Sequence, residues 1–135
     1  MAWADKPLHL HAFTIVVPDY DAGIGFYAGQ LGFDLRADTD LGGGKRCVMV
    51  APPGATTAIL LARAEGPDQT AAIGHQTGGR VGFFLHSDDF AADHARMVAA
   101  GVRFEEEPRH EPYGSVAVWV DPFGNRWDLL QLTGV

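Results

Sequence analysis

The strand-like run "RWDLLQL" near the end of the chain carries one acid, Asp128, among apolar residues. A carboxylate inside a sheet is costly unless it is paired, protonated or bound to a cation. Three roles are open to it. It could accept hydrogen bonds from a cationic or hydroxylated ligand, act as a general base if desolvation raises its pKa, or pair internally with an arginine such as Arg46. Arg46 is itself a charge in an apolar run, "KRCVMV". It reads either as a second cavity residue or as an edge-strand arginine whose head reaches water. Trp119, in "VAVWVDP", either stacks on a planar ligand or packs on a helix. Phe84 and His86 share strand parity with Gly82 in "RVGFFLH" and would line the same pocket.

Other chemistries find less support. Cys47 sits mid-strand with no base beside it in sequence, which fits an inert buried thiol. "LGGGK" lacks the helix start that a phosphate-binding loop needs and reads as a hairpin turn. His75, His94 and His110 read as surface residues, and "EEEP" as a solvated strand end. The net charge is −7, with −2 in residues 1–67 and −5 in residues 68–135. An acidic chain without a basic stripe is not expected to bind nucleic acid. No apolar run is long enough to span a membrane, and "MAWADKPLHL" lacks the apolar stretch of a signal peptide. With a single cysteine as well, a cytoplasmic location is expected.

The elements that must position these residues occur twice. At an offset of about 69, "VPDYDAGIGFYAGQLGFDL" lies over "HSDDFAADHARMVAAGVRF", placing Asp19 on Asp88 and Gly32 on Gly101. At an offset of about 70, "VMVAPPG" lies over "VWVDPFG". Each half starts with an apolar strand, "HAFTIVV" or "RVGFFLH", followed by an aspartate suited to cap a helix. In the first helix Tyr20, Ile24, Tyr27 and Leu31 recur at helical spacing; Phe90, Met97 and Val98 make a sparser stripe in the second. Gly32 and Gly101 fall where a left-handed cap is wanted. Three strands should follow in each half, with turns at "LGGG", "APPG", "EPYG" and "DPFGN". Arg63–Gly79 has no periodic pattern and reads as a connection. The expectation is an α+β fold, β-α-β-β-β twice, with modules over 8–65 and 80–132, a connection over 63–79, and one domain over 1–135.

"FYAGQLGFDL", "VAPPG" and above all "DPFGNRWDLLQ" resemble the vicinal oxygen chelate superfamily. That group includes glyoxalase I, bleomycin-resistance proteins, fosfomycin-resistance enzymes and extradiol dioxygenases. The resemblance covers Leu8 to Leu132. "GGGKRCVMVAPPG" and "HQTGG" resemble a bacterial subfamily without a settled activity. The resemblance implies two βαβββ modules enclosing a cavity, and a homodimer. In metal-using members it implies four His or Glu seats, on the first and last strands of each module. Here those seats fall on Ala12, on Gly82 or Val81, within Ala58–Leu61, and on Asp128. One of four can bind a metal. A strand slip that turned His11 inward would offer His11, His86 and Asp128 to a divalent metal such as Zn, Ni, Mn or Fe. On the unslipped register His9 and His11 share a face with Phe13, Ile15 and Val17.

The leading expectation is therefore a metal-independent binding protein of the bleomycin-resistance type. It would hold a small organic ligand against Asp128, Arg46, Trp119, Phe84 and His86, without a cofactor. The alternative is a glyoxalase-like lyase or a dioxygenase using the rearranged metal site. A metal-free isomerase or hydrolase with Asp128 as base also stays open.

Overall fold

The computed structural model describes residues 6–133, so part of the stretch read above for a signal peptide lies outside them. In the first half, strand β1 (Ala12–Val17) and helix α1 (Tyr20–Ile24) precede β2 (Asp34–Gly42), β3 (Lys45–Ala51) and β4 (Ala58–Arg63). A short helix α2 (Gly66–Ala72) follows. The second half holds β5 (Phe83–His86), α3 (Phe90–Ala99), β6 (Arg103–Phe104), β7 (Arg109–Glu111), β8 (Gly114–Val120) and β9 (Arg126–Leu132). The sheets run β1-β4-β3-β2 and β5-β9-β8-β6, with β7 also paired to β8. First and last strands pair in parallel in both halves, β1 with β4 and β5 with β9. The chain adopts the expected α+β fold of two βαβββ modules. No helix among the described residues is long and apolar enough to cross a membrane.

The two helical segments differ by one residue, and that difference has a structural form. Asp19 caps α1 by accepting from Ala22 N at 2.9 Å. The equivalent cap of α3 is Asp89, which accepts from Ala92 N at 3.2 Å, one residue beyond the expected Asp88. Both segments close on a left-handed glycine, Gly32 (φ 90°) and Gly101 (φ 86°). The first therefore has one residue more between cap and glycine. It is absorbed by a wide π-helical turn over Gly25–Gln30, where Leu31 N donates to Phe26 O at 2.7 Å. The wide turn buries two successive aromatics, Phe26 and Tyr27, where an α-helix would send one of them outward.

The connection is more structured than its sequence implies. Pro67 in the first turn of α2 starts a helix that buries none of its residues, so no apolar stripe announced it. Gln76 then lies along the free edge of β1. Its Oε1 accepts from Val16 N at 2.8 Å and its Nε2 donates to Thr14 O at 3.0 Å. One amide side chain thus imitates a neighbouring strand. Gly74 crosses the "DPFGN" turn so closely that a Cβ there would collide with Phe123 O.

The second strand of module two is broken into β6 and β7 at Glu105–Pro108. Glu106 bridges the gap: its Oε2 accepts from Val118 N at 2.9 Å, where a ladder carbonyl would otherwise stand. Within the "EEEP" run Glu105 and Glu107 are exposed at the end of β6, while Glu106 is half-buried against β8.

Asp121, first residue of the "DPFGN" turn, is buried and accepts four hydrogen bonds. They come from Phe123 N (2.9 Å), Asn125 N (2.8 Å), Asn125 Nδ2 (2.7 Å) and the Tyr27 hydroxyl (2.5 Å). Trp127 Nε1 donates to the same hydroxyl at 3.2 Å. Burial, and then the charge of Asp121, hold the Tyr27 phenol well above its ordinary pKa, so it stays a donor. Tyr27→Phe keeps the ring and removes this link. It is expected to destabilise the protein by about 2 kcal/mol, seen as a lower urea midpoint with an unchanged slope.

Candidate functional site

Along β9 the side chains alternate. Trp127 and Leu129 are buried, facing the helices, while Arg126, Asp128 and Leu130 face the other way. β5 follows suit: Phe83 and Leu85 pack on the core, and Phe84 and His86 lie on the helix-free face. Phe84 stands directly beside Asp128 on one side, and Val118 of β8 stands beside it on the other. Phe84 is 63% exposed, a large apolar side chain left uncovered next to an acid.

Asp128 Oδ1 is buried and has no hydrogen-bond partner among the described residues. Burial raises the pKa of this carboxyl above the ordinary aspartate value; Arg109 and Arg126 oppose the rise and Glu106 adds to it. Neither arginine is free to pair with it. Arg126 Nη2 lies 2.7 Å from Glu105 Oε2, and its Nη1 donates to Gly79 O at 3.1 Å. Arg109 Nε lies 2.8 Å from Glu106 Oε1, and its Nη1 lies 3.4 Å from Glu111 Oε1. The Arg109 pairing holds the Glu106 carboxyl below its ordinary pKa. Among the described residues Asp128 is left without a counter-ion in direct contact.

Of the residues singled out in the sequence, Asp128, Phe84 and His86 come to one face. His86 is half-exposed, accepts from Leu132 N at 3.2 Å through Nε2, and lies 3.7 Å from Asp88 through Nδ1. Arg46 and Trp119 are elsewhere, and their expected places in the cavity are corrected here. Arg46 has the strand parity of Val48 and Val50, which pack on the helices. It lies over the Tyr20 ring, 5.2 Å from its centroid, and ties Asp21 of α1 (3.0 Å) to Asp38 of β2 (2.8 Å). Trp119 is fully buried, stacked on Trp127 with ring centroids 4.9 Å apart. Its strand is buried on both faces, so the alternation that would have assigned its direction is missing.

In the first module Ala12 pairs with Ala58, and in the second Asp128 pairs directly with Phe84, two residues beyond Gly82. Gly82 does not widen a pocket, because a Cβ there would meet the Thr77 side chain at 2.2 Å. Ala12, Ala58 and Phe84 offer no ligand to a metal. Among the described residues no three His, Cys, Asp or Glu side chains are placed to hold a metal ion, so His11, His86 and Asp128 are not brought together as a triad. The donor set does not fit the metal that related folds carry.

The sequence reading missed Arg109, Glu105, Glu106 and Arg126 around the acid. Arg126 was within reach of it, two residues before Asp128 and so on the same face. The others depend on how the broken strand β6–β7 lies against β8, which no local pattern announces.

A family model described as the Glyoxalase/Bleomycin resistance protein/Dioxygenase superfamily matches residues 9–129. An uncharacterised protein of Shewanella frigidimarina (strain NCIMB 400) is 50% identical over 121 residues, 88% of this chain and 90% of that protein. The crystal structure of UcmS2 superposes with a TM-score of 0.79 at 30% identity, covering 92% of this chain and 98% of that one. TnmS3, an antibiotic binding protein from Streptomyces sp. CB03234, superposes with a TM-score of 0.76 at 34% identity, covering 94% and 98%.

An acid whose pKa is raised by folding favours its protonated form in the fold. Stability is then lost as pH rises through the raised pKa, and the loss is complete above it. Asp128→Asn is therefore expected to raise the melting temperature at pH 7. The gain should close as pH falls below the ordinary carboxylate range, in thermal melts of both proteins across pH.

Proposed function

The chain belongs to the Glyoxalase/Bleomycin resistance protein/Dioxygenase superfamily, and from that premise we propose that it is a metal-independent small-molecule binding protein of the bleomycin-resistance type. It takes an organic ligand on the helix-free face of the second module, between Asp128 and Phe84. The observation that carries this reading is the pairing of a buried, unpartnered carboxylate oxygen with an exposed phenylalanine on adjacent strands. Polar atoms in native proteins rarely stay buried and unsatisfied unless something else satisfies them. Large exposed apolar groups beside them mark places where a ligand or partner sits. The antibiotic-binding neighbour at 34% identity supports the class of activity.

The ligand cavity is closed by a second copy of the chain. Exposed Leu132, Tyr113 and Phe84 border the second sheet, and Leu35 and Leu41 stand uncovered on β2, which is exposed along most of its length. A homodimer in light scattering is expected.

Untagged protein is expected to carry no stoichiometric Zn, Ni, Mn or Fe by elemental analysis. Metal that co-purifies one to one and is lost on Asp128→Ala would overturn the reading in favour of a metal enzyme. In a thermal-shift screen, a ligand present at one hundred times its dissociation constant should add ~2.7 kcal/mol of stability. Phe84→Ala, which removes an exposed ring and should leave the fold intact, is expected to reduce that shift. An undiminished shift in both Phe84→Ala and Asp128→Asn places the ligand elsewhere.

A further inference from the structure

We propose that module one carries a second site, which binds a small organic oxyanion, a carboxylate or phosphate on a short apolar body, at Arg63. It shares no residue with the face that carries Asp128. A cavity of about 330 Å³, open to solvent, lies where β3 and β4 part. That volume is within the range of small-molecule sites. Pairing between the two strands covers Val50–Ile59 to Val48–Leu61 and stops there, although β3 begins at Lys45 and β4 continues to Arg63. The same register carried two residues on would set Arg46 opposite Arg63. Instead Arg46 N donates to the Tyr20 hydroxyl at 3.2 Å, so α1 takes over from the ladder at this end.

Two guanidinium groups thereby meet on one aromatic ring. Arg46 and Arg63 each lie 5.2 Å from the centroid of Tyr20. Like charges opposed across neighbouring strands repel unless an opposite charge answers them. Arg46 is answered twice, by Asp21 at 3.0 Å and Asp38 at 2.8 Å. Among the described residues Arg63 has no acid within ion-pair distance, and its guanidinium makes no hydrogen bond. It is nonetheless held in place. It is half-buried, rests on the Tyr20 ring, and reaches the β2–β3 turn, where a Cβ on Gly44 would lie 3.6 Å from its Nη2. A positioned guanidinium without a carboxylate is a seat for an oxyanion, which it grips through parallel charge-assisted N–H bonds.

The rest of the lining selects the ligand. Lys45, exposed on the same turn, has no acid within ion-pair distance among the described residues either. Glu65 is the acid on the wall, so with Arg46 already neutralised two cations face one carboxylate. An anion is favoured over a cation. Leu41, 58% exposed, with Leu60 and Ala62, gives the ligand's apolar body a surface to lie on.

Phenyl phosphate, benzoate and benzamidine are titrated separately into the full chain while the amide signals of Arg46, Cys47, Ala62 and Arg63 are followed by two-dimensional NMR. The two anions are expected to shift these amides and benzamidine is not. The tighter of the two identifies the oxyanion as phosphate or carboxylate. Arg63→Gln is expected to weaken that anion at least about ten-fold, and Arg63→Lys to restore part of the loss. Lys45→Gln, at an exposed position that should leave the fold intact, is expected to weaken it less and serves if the Arg63 variants fail to fold. Benzamidine shifting these amides as strongly as the anions overturns the proposal. So does an anion affinity unchanged in Arg63→Gln, or in Lys45→Gln where that variant stands in. Anion shifts absent from these amides, or confined to Phe84, Asp128 and Leu130, overturn the second site and leave the helix-free face to be judged on its own.

Discussion

The Tyr27 hydroxyl holds the two halves of this protein in register. It comes from the wide turn that ends the first helical segment, and it donates to Asp121 and accepts from Trp127, both of the second module. All three side chains are buried. A buried carboxylate is tolerated when its acceptor sites are filled, and Asp121 accepts four bonds. Because those donors come from the turn itself and from the opposite module, the turn cannot relax without loosening the packing between modules. The chain's most recognisable motif, "DPFGN", is thus a joint. Its glycine and the crossing Gly74 let the connection pass over it at backbone distance.

From that joint the direction of β9 follows. Trp127 bonds to Tyr27 and stacks on Trp119, and it also meets Phe33 and Phe83. A slip of one residue would expel Trp127 from this cluster and drive Asp128 into it. The aromatic core therefore fixes the acid on the outer face, although no hydrogen bond to Oδ1 helps to place it there. Packing supplies the precision, while Asp128 contributes the cost of a partly desolvated charge.

Much of this was legible in the sequence. The internal repeat, the capping aspartates, Gly32 and Gly101 and the strand alternation gave two βαβββ modules, because each is a local consequence of backbone geometry. The same alternation put Asp128, Phe84 and His86 on one face. It failed where a strand is buried on both sides, as around Trp119, and where a charged residue faces helices, as Arg46 does. Arg46 is accommodated there by Asp21 and Asp38, residues 25 and 8 positions away that local pattern cannot link to it. The part played by Glu106 was not legible for a related reason. Glu106 takes the place of a ladder carbonyl across a break in a strand, and a break of that kind depends on the partner strand.

The duplication provides an internal control on what Asp128 is for. Two equivalent parallel pairs, Thr14–Leu60 and Phe84–Asp128, each precede a pair that packs on the core, Ile15–Leu61 and Leu85–Leu129, in two modules of the same topology. In the first, a threonine and a leucine suffice, and the neighbouring Ala12, Val16, Ala58 and Ala62 carry no charge. The architecture therefore does not require an acid at this position. Nor does Asp128 complete an ion pair among the described residues, since the nearby arginines are already held by glutamates. Its place on the outer face is set by the packing of Trp127 on Trp119, and burial penalises its charge there.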